Sequence, residues 1–182
     1  MNAAAKSADE ELAYHQAGQA VVCISLFGPR VVKQLGLTGD PVGESHFETY
    51  SNLPVPLSVR PPSHRRGEDR KPIEVDGIVD AHGVLAYAGV AAVYTHFRNQ
   101  GRSEDIDYRT AYLGFRERLA KLASGIGIER AADQFFEDYW SEALRLLEAD
   151  WEAVERVAEG LLTHRSLNGN RVDALILGEE LQ

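Results

Sequence analysis

The first segment of the chain changes from polar to densely apolar within one helical pattern. Residues 7–10 (SADE) have the arrangement of a capping box, in which the serine side chain and the glutamate side chain each bind a free backbone amide. Apolar residues become frequent from Ala17 onward, and Gly28-Pro29 then ends the pattern. The sequence therefore predicts a helix from Ser7 to Phe27 whose second half is buried.

The next segments have the pattern of short strands followed by a loop. Residues 30–37 (RVVKQLGL) place apolar side chains among polar ones, and residues 45–50 suggest a second strand, so we expect a small sheet near residues 30–50. Residues 51–73 contain five of the seven prolines, which favours extended backbone on the surface. This segment also carries a basic cluster of Arg60, Arg65, Arg66, Arg70 and Lys71. The cluster fits either a solvated, flexible loop or a docking segment for an acidic partner.

Helical spacing dominates the remainder of the chain. Residues 75–97 are apolar with helical spacing, and Gly89 would allow a close helix contact there. A helix is predicted from Ser103 to about residue 123. Between residues 144 and 161 apolar residues, among them Trp151, are spaced three and four apart, which predicts a long helix with one continuously apolar side. Trp140 should lie on the same side of that helix. After a turn at Asn168-Gly169 a last short helix follows, so we expect a mainly α, α+β fold in a single domain over residues 1–182.

Composition and charge narrow the classes of partner. The 182 residues include 19 lysines and arginines against 28 aspartates and glutamates, a formal net charge of -9 that disfavours nucleic acids and anionic membranes. No apolar run is long enough to span a bilayer, and the first residues lack the apolar core of a signal peptide. The single cysteine, Cys23, cannot form an internal disulfide. A cytoplasmic protein without a membrane span is expected.

One motif carries the candidate chemistry. Residues 13–22 (AYHQAGQAVV) resemble the zinc-binding helix of FtsH-type metallopeptidases, which reads A-Y-H-E-A-G-H-A-hydrophobic-V. Residues 85–92 (LAYAGVAA), 103–111 (SEDIDYRTA) and 161–169 (LLTHRSLNG) resemble further motifs of this family in the same order. The resemblance covers most of the chain and implies a peptidase-like domain. Because no Walker-type phosphate-binding loop is present, we expect a free-standing domain without the AAA+ ATPase module of the full-length enzymes.

The motif departs from the family at the residues that do the chemistry. In the active motif two histidines bind zinc, and the glutamate between them takes a proton from the metal-bound water. Here His15 remains, Gln16 replaces the general base and Gln19 replaces the second histidine. An amide is neither a proton acceptor at neutral pH nor a good zinc ligand. Val93 stands where the resemblance implies a further glutamate.

The resemblance also implies a third zinc ligand, an aspartate four residues before an alanine. That spacing favours Asp107, with Asp105 as the alternative, and only one can face His15 because residues two apart on a helix differ by about 200°. Both aspartates would equally serve to complement a helix N-terminus. The vestigial site is therefore predicted to contain His15, Gln16, Gln19 and Asp107 or Asp105. The His15 ring would be hydrogen bonded to Gln19, Asp107 or water.

Two functions follow from these departures. The first is a catalytically inactive pseudopeptidase that binds a peptide or protein partner by strand addition along residues 35–48, an edge that the resemblance places beside the motif helix. It needs no cofactor, and no catalytic residue or metal is expected. The alternative is a metal-dependent peptidase or hydrolase with a rearranged zinc site, in which His15 and Asp107 are joined by a ligand such as His46 or His64. The partner and the oligomeric state are left open.

Overall fold

A computed structural model describes residues 3–37, 78–102 and 132–179 of the chain. These residues form a mainly helical fold with a small antiparallel sheet, which confirms the predicted α+β class. In chain order the elements are α1 (Ala3–Phe27), β1 (Gln34–Gly36), α2 (Ile78–Asn99), α3 (Ala132–Ala149), α4 (Trp151–His164), β2 (Ser166–Asn168) and α5 (Gly169–Leu177). The predicted strand at 45–50, the loop at 51–73 and the helix at 103–123 lie outside the described residues, and the single domain stays a prediction.

Helix α1 ends where the sequence predicts but begins earlier. It starts at Ala3, so Ser7 lies inside the helix and the predicted capping box at residues 7–10 is wrong. The preceding alanines explain the difference, because alanine has the highest helix propensity and extends the helix toward the amino terminus. At the other end Gly28 has a φ of 88°, and its amide donates to the Ile24 carbonyl at 2.8 Å. This left-handed residue is the usual helix stop at a glycine.

The second half of α1 is buried against α2. Its apolar residues belong to one core, as the density of apolar positions predicts. The helices approach most closely at Gly18, where an added Cβ would collide with the Ala92 side chain and lie 2.8 Å from the Ala88 carbonyl oxygen. The small residues on both helices therefore set the distance between them, and the predicted core helix over 75–97 is confirmed as α2.

The carboxyl-terminal apolar stripe is divided between two helices. Helix α3 closes with the Asp150 amide donating to the Leu147 carbonyl, and α4 opens with the Ala153 amide donating to the Asp150 carbonyl. The predicted single long helix is therefore wrong, because the apolar spacing continues through a break in the hydrogen-bonding pattern. Trp140 packs edge-on against Tyr94 of α2, and Trp151 stacks near Tyr14 of α1, so the two indoles do not share one helix side.

The sheet joins two distant parts of the chain. Strand β1 lies within the predicted segment 30–37, and it pairs antiparallel with β2 in the register Gln34 to Asn168, Leu35 to Leu167 and Gly36 to Ser166. The sequence indicates only a turn near β2. That turn is present, since the Asn168 side chain accepts from the Arg171 amide and caps α5. The sheet thus fixes β1 beside α1.

No helix in these three described ranges is long and apolar enough to cross a membrane.

Candidate functional site

His15, Gln16 and Gln19 occupy consecutive turns of α1, where the helix meets both α2 and β1. The His15 ring lies directly against Gly89 of α2, because a Cβ added to Gly89 would be 2.6–2.7 Å from three ring atoms. Gly89 therefore provides the space for this imidazole. The close helix contact that the sequence predicts at Gly89 is a contact with the His15 side chain.

The His15 imidazole is neutral at neutral pH. Burial lowers its pKa below the ordinary value of 6.5. Within the described ranges no side chain forms a hydrogen bond to the ring. Gln19 is included in this absence, and its Oε1 atom has no hydrogen-bond partner at all. The predicted His15 to Gln19 hydrogen bond is therefore wrong, and a bond to Asp107 or water stays a prediction.

Both ends of the Gln16 carboxamide form hydrogen bonds with the backbone of one residue, Gly36. Its Nε2 atom donates to the Gly36 carbonyl at 2.6 Å, and the Gly36 amide donates to Gln16 Oε1 at 3.0 Å. The side chain is only 4% exposed. Gln16 therefore connects α1 to β1.

Gln19 presents the opposite situation. Its residue exposure is 6%, and its Oε1 atom is buried without a partner. A buried acceptor that lacks a hydrogen bond typically costs about 1–3 kcal/mol of stability, so such groups are rare in folded proteins. Gln19 lies one helical turn from His15, and its unsatisfied acceptor is covered, so a donor group would reach it only if the covering side chains moved.

The described residues do not fit a zinc ion at this site. They contain no group of three histidine, cysteine, aspartate or glutamate side chains that could hold a metal, whereas catalytic zinc usually has three protein ligands. Val93 is buried in the apolar core and supplies no charge. Asp105, Asp107, His46 and His64 lie outside the described residues, so their place relative to His15 stays a prediction.

A second polar cluster, which the sequence does not reveal, lies further along α2, where His96 meets Tyr14, the neighbour of His15 on α1. His96 is 8% exposed and stacks on Tyr14, with ring centroids 3.5 Å apart. Its Nε2 atom is 3.0 Å from Glu10 Oε1. Burial, with smaller contributions from neighbouring glutamates, raises the pKa of Tyr14 to about 12, so the phenol stays protonated. No local motif could have revealed this cluster, because Glu10 and His96 are 86 residues apart.

The hydrogen-bonded pair of Gln16 and Gly36 could not be predicted from the sequence either. A side-chain amide that binds a backbone group has no recognisable partner residue, so no spacing rule would find it. No protein-family model and no curated protein matches the chain, so comparison with known proteins gives no family.

Proposed function

We propose that this chain is a catalytically inactive, peptidase-like domain that acts by binding a peptide or protein partner. The observation that supports the proposal is the state of Gln16, whose carboxamide is bound at both ends to Gly36. A general base must be within hydrogen-bond reach of the proton that it removes and must be able to accept it. Gln16 fails the second requirement by its chemistry, and its hydrogen bonds hold it on the strand.

Binding without cleavage is favoured by the groups left over. Gln19 Oε1 is a buried acceptor without a partner, and the neighbouring imidazole of His15 is neutral with no hydrogen bond from the described residues. An N–H group of a bound peptide would satisfy Gln19 and recover the free energy that its burial costs, about 1–3 kcal/mol. The proposal thus gives these two side chains a binding role in place of a catalytic one.

The proposal is tested by metal content and by activity. Protein purified without chelator should carry no stoichiometric zinc, and it should not hydrolyse unfolded casein above background with or without added zinc. About one equivalent of zinc that is lost in His15→Ala would instead favour a metal-dependent hydrolase with a rearranged site. Cleavage of casein that a chelator abolishes would contradict the proposal directly.

Binding is tested on the same substrate. Unfolded casein should bind the protein without being cut, and the affinity should fall in Gln19→Leu, which removes the buried acceptor at nearly constant volume. Gln34→Leu is the matched control, because Gln34 is an exposed glutamine whose side chain is bonded to Ser166 Oγ across the sheet. Equal affinity in all three proteins would remove Gln19 from the binding site.

A further inference from the structure

The backbone groups of strand β1 form hydrogen bonds at both edges of the strand, with a different partner at each edge. The Gly169 amide donates to the Lys33 carbonyl at 2.7 Å, and the Leu37 amide donates to the Arg165 carbonyl at 2.8 Å. Lys33, Leu35 and Leu37 therefore direct their backbone groups toward β2. Because backbone groups alternate between the two edges of an antiparallel strand, those of Gly36 point to the opposite, outer edge.

The outer edge is occupied at Gly36 by the Gln16 side chain. An added strand would offer Gly36 one carbonyl acceptor and one N–H donor, and Gln16 offers the same pair from one carboxamide. Few other side chains can do this. Glutamate has the same length and could accept from the Gly36 amide, but its second oxygen would face the Gly36 carbonyl oxygen and repel it.

We propose that Gln16 is a side-chain cap that closes the outer edge of β1, so that an extended peptide pairs with Gly36 only after the Gln16 side chain moves away. The cap explains how a short strand avoids uncontrolled pairing with other chains, a hazard of unprotected sheet edges. It also gives the glutamine at the general-base position a function of its own. The part that concerns peptide access rests on the proposed function.

The hydrogen bonds of the cap are tested by amide hydrogen exchange. In Gln16→Met, which keeps the length of the side chain and loses both hydrogen bonds, the Gly36 amide should exchange about five- to tenfold faster, as expected for loss of one hydrogen bond. The Leu37 amide, which is bound to β2, should be unaffected and reports whether the sheet is intact. Gln16→Glu keeps the acceptor of the Gly36 amide but brings its second oxygen against the Gly36 carbonyl oxygen, so Gly36 protection should fall less than in Gln16→Met.

The matched control is Gln34→Met on β1 itself. The Gln34 side chain donates to Ser166 Oγ across the sheet and makes no bond to Gly36, so this variant should leave Gly36 exchange unchanged. Unchanged Gly36 exchange in Gln16→Met, with Leu37 still protected, would overturn the cap. A faster Gly36 amide in both Met variants would overturn it as well, since the effect would not be specific to Gln16.

Peptide access is measured separately with unfolded casein. If the cap gates the edge, Gln16→Met should bind casein several-fold more tightly than the parent, and Gln34→Met should not. Equal binding by the parent and Gln16→Met would overturn the gating. If no variant binds casein while Gly36 exchange changes as expected, then the proposed function fails and the cap on the edge stands.

Discussion

The α2 stretch from Gly89 to His96 has an imidazole at each end, and the two imidazoles differ: His96 is buried, whereas His15, which lies against Gly89, is only partly buried. At one end His96 of α2 stacks on Tyr14 and lies 3.0 Å from Glu10 Oε1. At the other end His15 of α1 rests against Gly89 and has no hydrogen bond from the described residues, while Gln19 Oε1 nearby has none either. The two ends thus differ both in exposure and in polar pairing.

The difference separates a structural cluster from a candidate site. Buried polar groups normally find hydrogen-bond partners, because each unpaired one destabilises the fold. The His96 cluster obeys this rule with its own side chains and needs no ligand to explain it. The His15 end does not obey it within the described residues. A histidine on a helix is therefore informative only together with the state of its neighbours.

The largest expected effect lies between the two ends, at Gly18. Gly18→Ala would place a Cβ against the Ala92 side chain and 2.8 Å from the Ala88 carbonyl, so the helices must separate and both ends lose their geometry. We expect the free energy of unfolding to fall by about 3 kcal/mol, the upper part of the range for overpacked cores. Denaturant titration measures it.

Gly36→Ala is the control for this substitution. A Cβ there would be 3.8 Å from its nearest neighbour, the Arg165 carbonyl oxygen, and should be accommodated. If Gly18→Ala is as stable as the parent, the two helices are not held at the distance described, and the contrast between the two imidazoles loses its basis.

The next prediction tests whether a zinc ion can become a partner of His15. Side chains at positions 15 and 19 of α1 project from one helix face about 6 Å apart, so Gln16→Glu with Gln19→His should create a zinc site with Asp107 as third ligand. Zinc at a hundred times its Kd would stabilise the fold by about 2.7 kcal/mol and raise the Tm. Calorimetry gives the affinity.

Hydrolysis by this double variant is a weaker expectation than zinc binding, since Val93 itself supplies no carboxylate to the surroundings of the site. His15→Ala in the same background is the control and should lose the zinc. A folded double variant that binds zinc no better than the parent would mean that Asp107 does not face His15, and the assignment of Asp107 would be wrong.

The same apolar substitution should have opposite consequences at the two ends. Gln19→Leu removes an acceptor that has no partner, so stability should be unchanged or rise by about 1 kcal/mol. His96→Leu removes a ring that stacks on Tyr14 and is paired with Glu10, so stability should fall by about 2 kcal/mol. Thermal and denaturant unfolding of both variants measure the two signs. A clear loss in Gln19→Leu would show that Gln19 already has a partner.

The parts of the fold that could be predicted are those with a local signal. The end of α1 at Phe27, the helix α2 and the burial of the second half of α1 follow from apolar spacing and from Gly28. The position of the candidate site on α1 rests on the resemblance of the motif and stays a prediction. Strand β2 could not be predicted, because three residues are too few to show an alternation.

What escaped prediction is the pairing of side chains between elements. The break at Asp150 lies within a continuous apolar spacing, so the pattern has no signal there. The resemblance of the sequence to a family motif singles out Gln16, but its bond to Gly36 depends on where β1 lies in space. The sequence identifies which residue is unusual, whereas only the geometry shows what that residue now does.

The smallest expected effect is the pH dependence contributed by His15. Burial lowers the pKa of His15 in the folded protein below its unfolded value of 6.5. As the pH falls through 6.5 and toward the folded pKa, the unfolded chain takes up a proton that the folded chain does not, so the free energy of unfolding decreases. Removing the imidazole in His15→Asn should make stability less sensitive to acid between about pH 7 and about pH 5.

The control for this measurement is His164→Asn, which removes an exposed histidine from the last turn of α4. Denaturant unfolding at several pH values gives the slopes, and an NMR titration of the His15 ring gives its pKa directly. The sign of the shift decides the comparison between the two ends. A carboxylate partner such as Asp107 or Asp105 would favour the charged imidazole and raise the pKa of His15. In that case His15 would stabilise the fold at low pH, and this contribution would be lost as the pH rises through the raised pKa. A His15 pKa above 6.5 would therefore contradict an unpaired ring and make this end of the helix contact a paired cluster like that of His96.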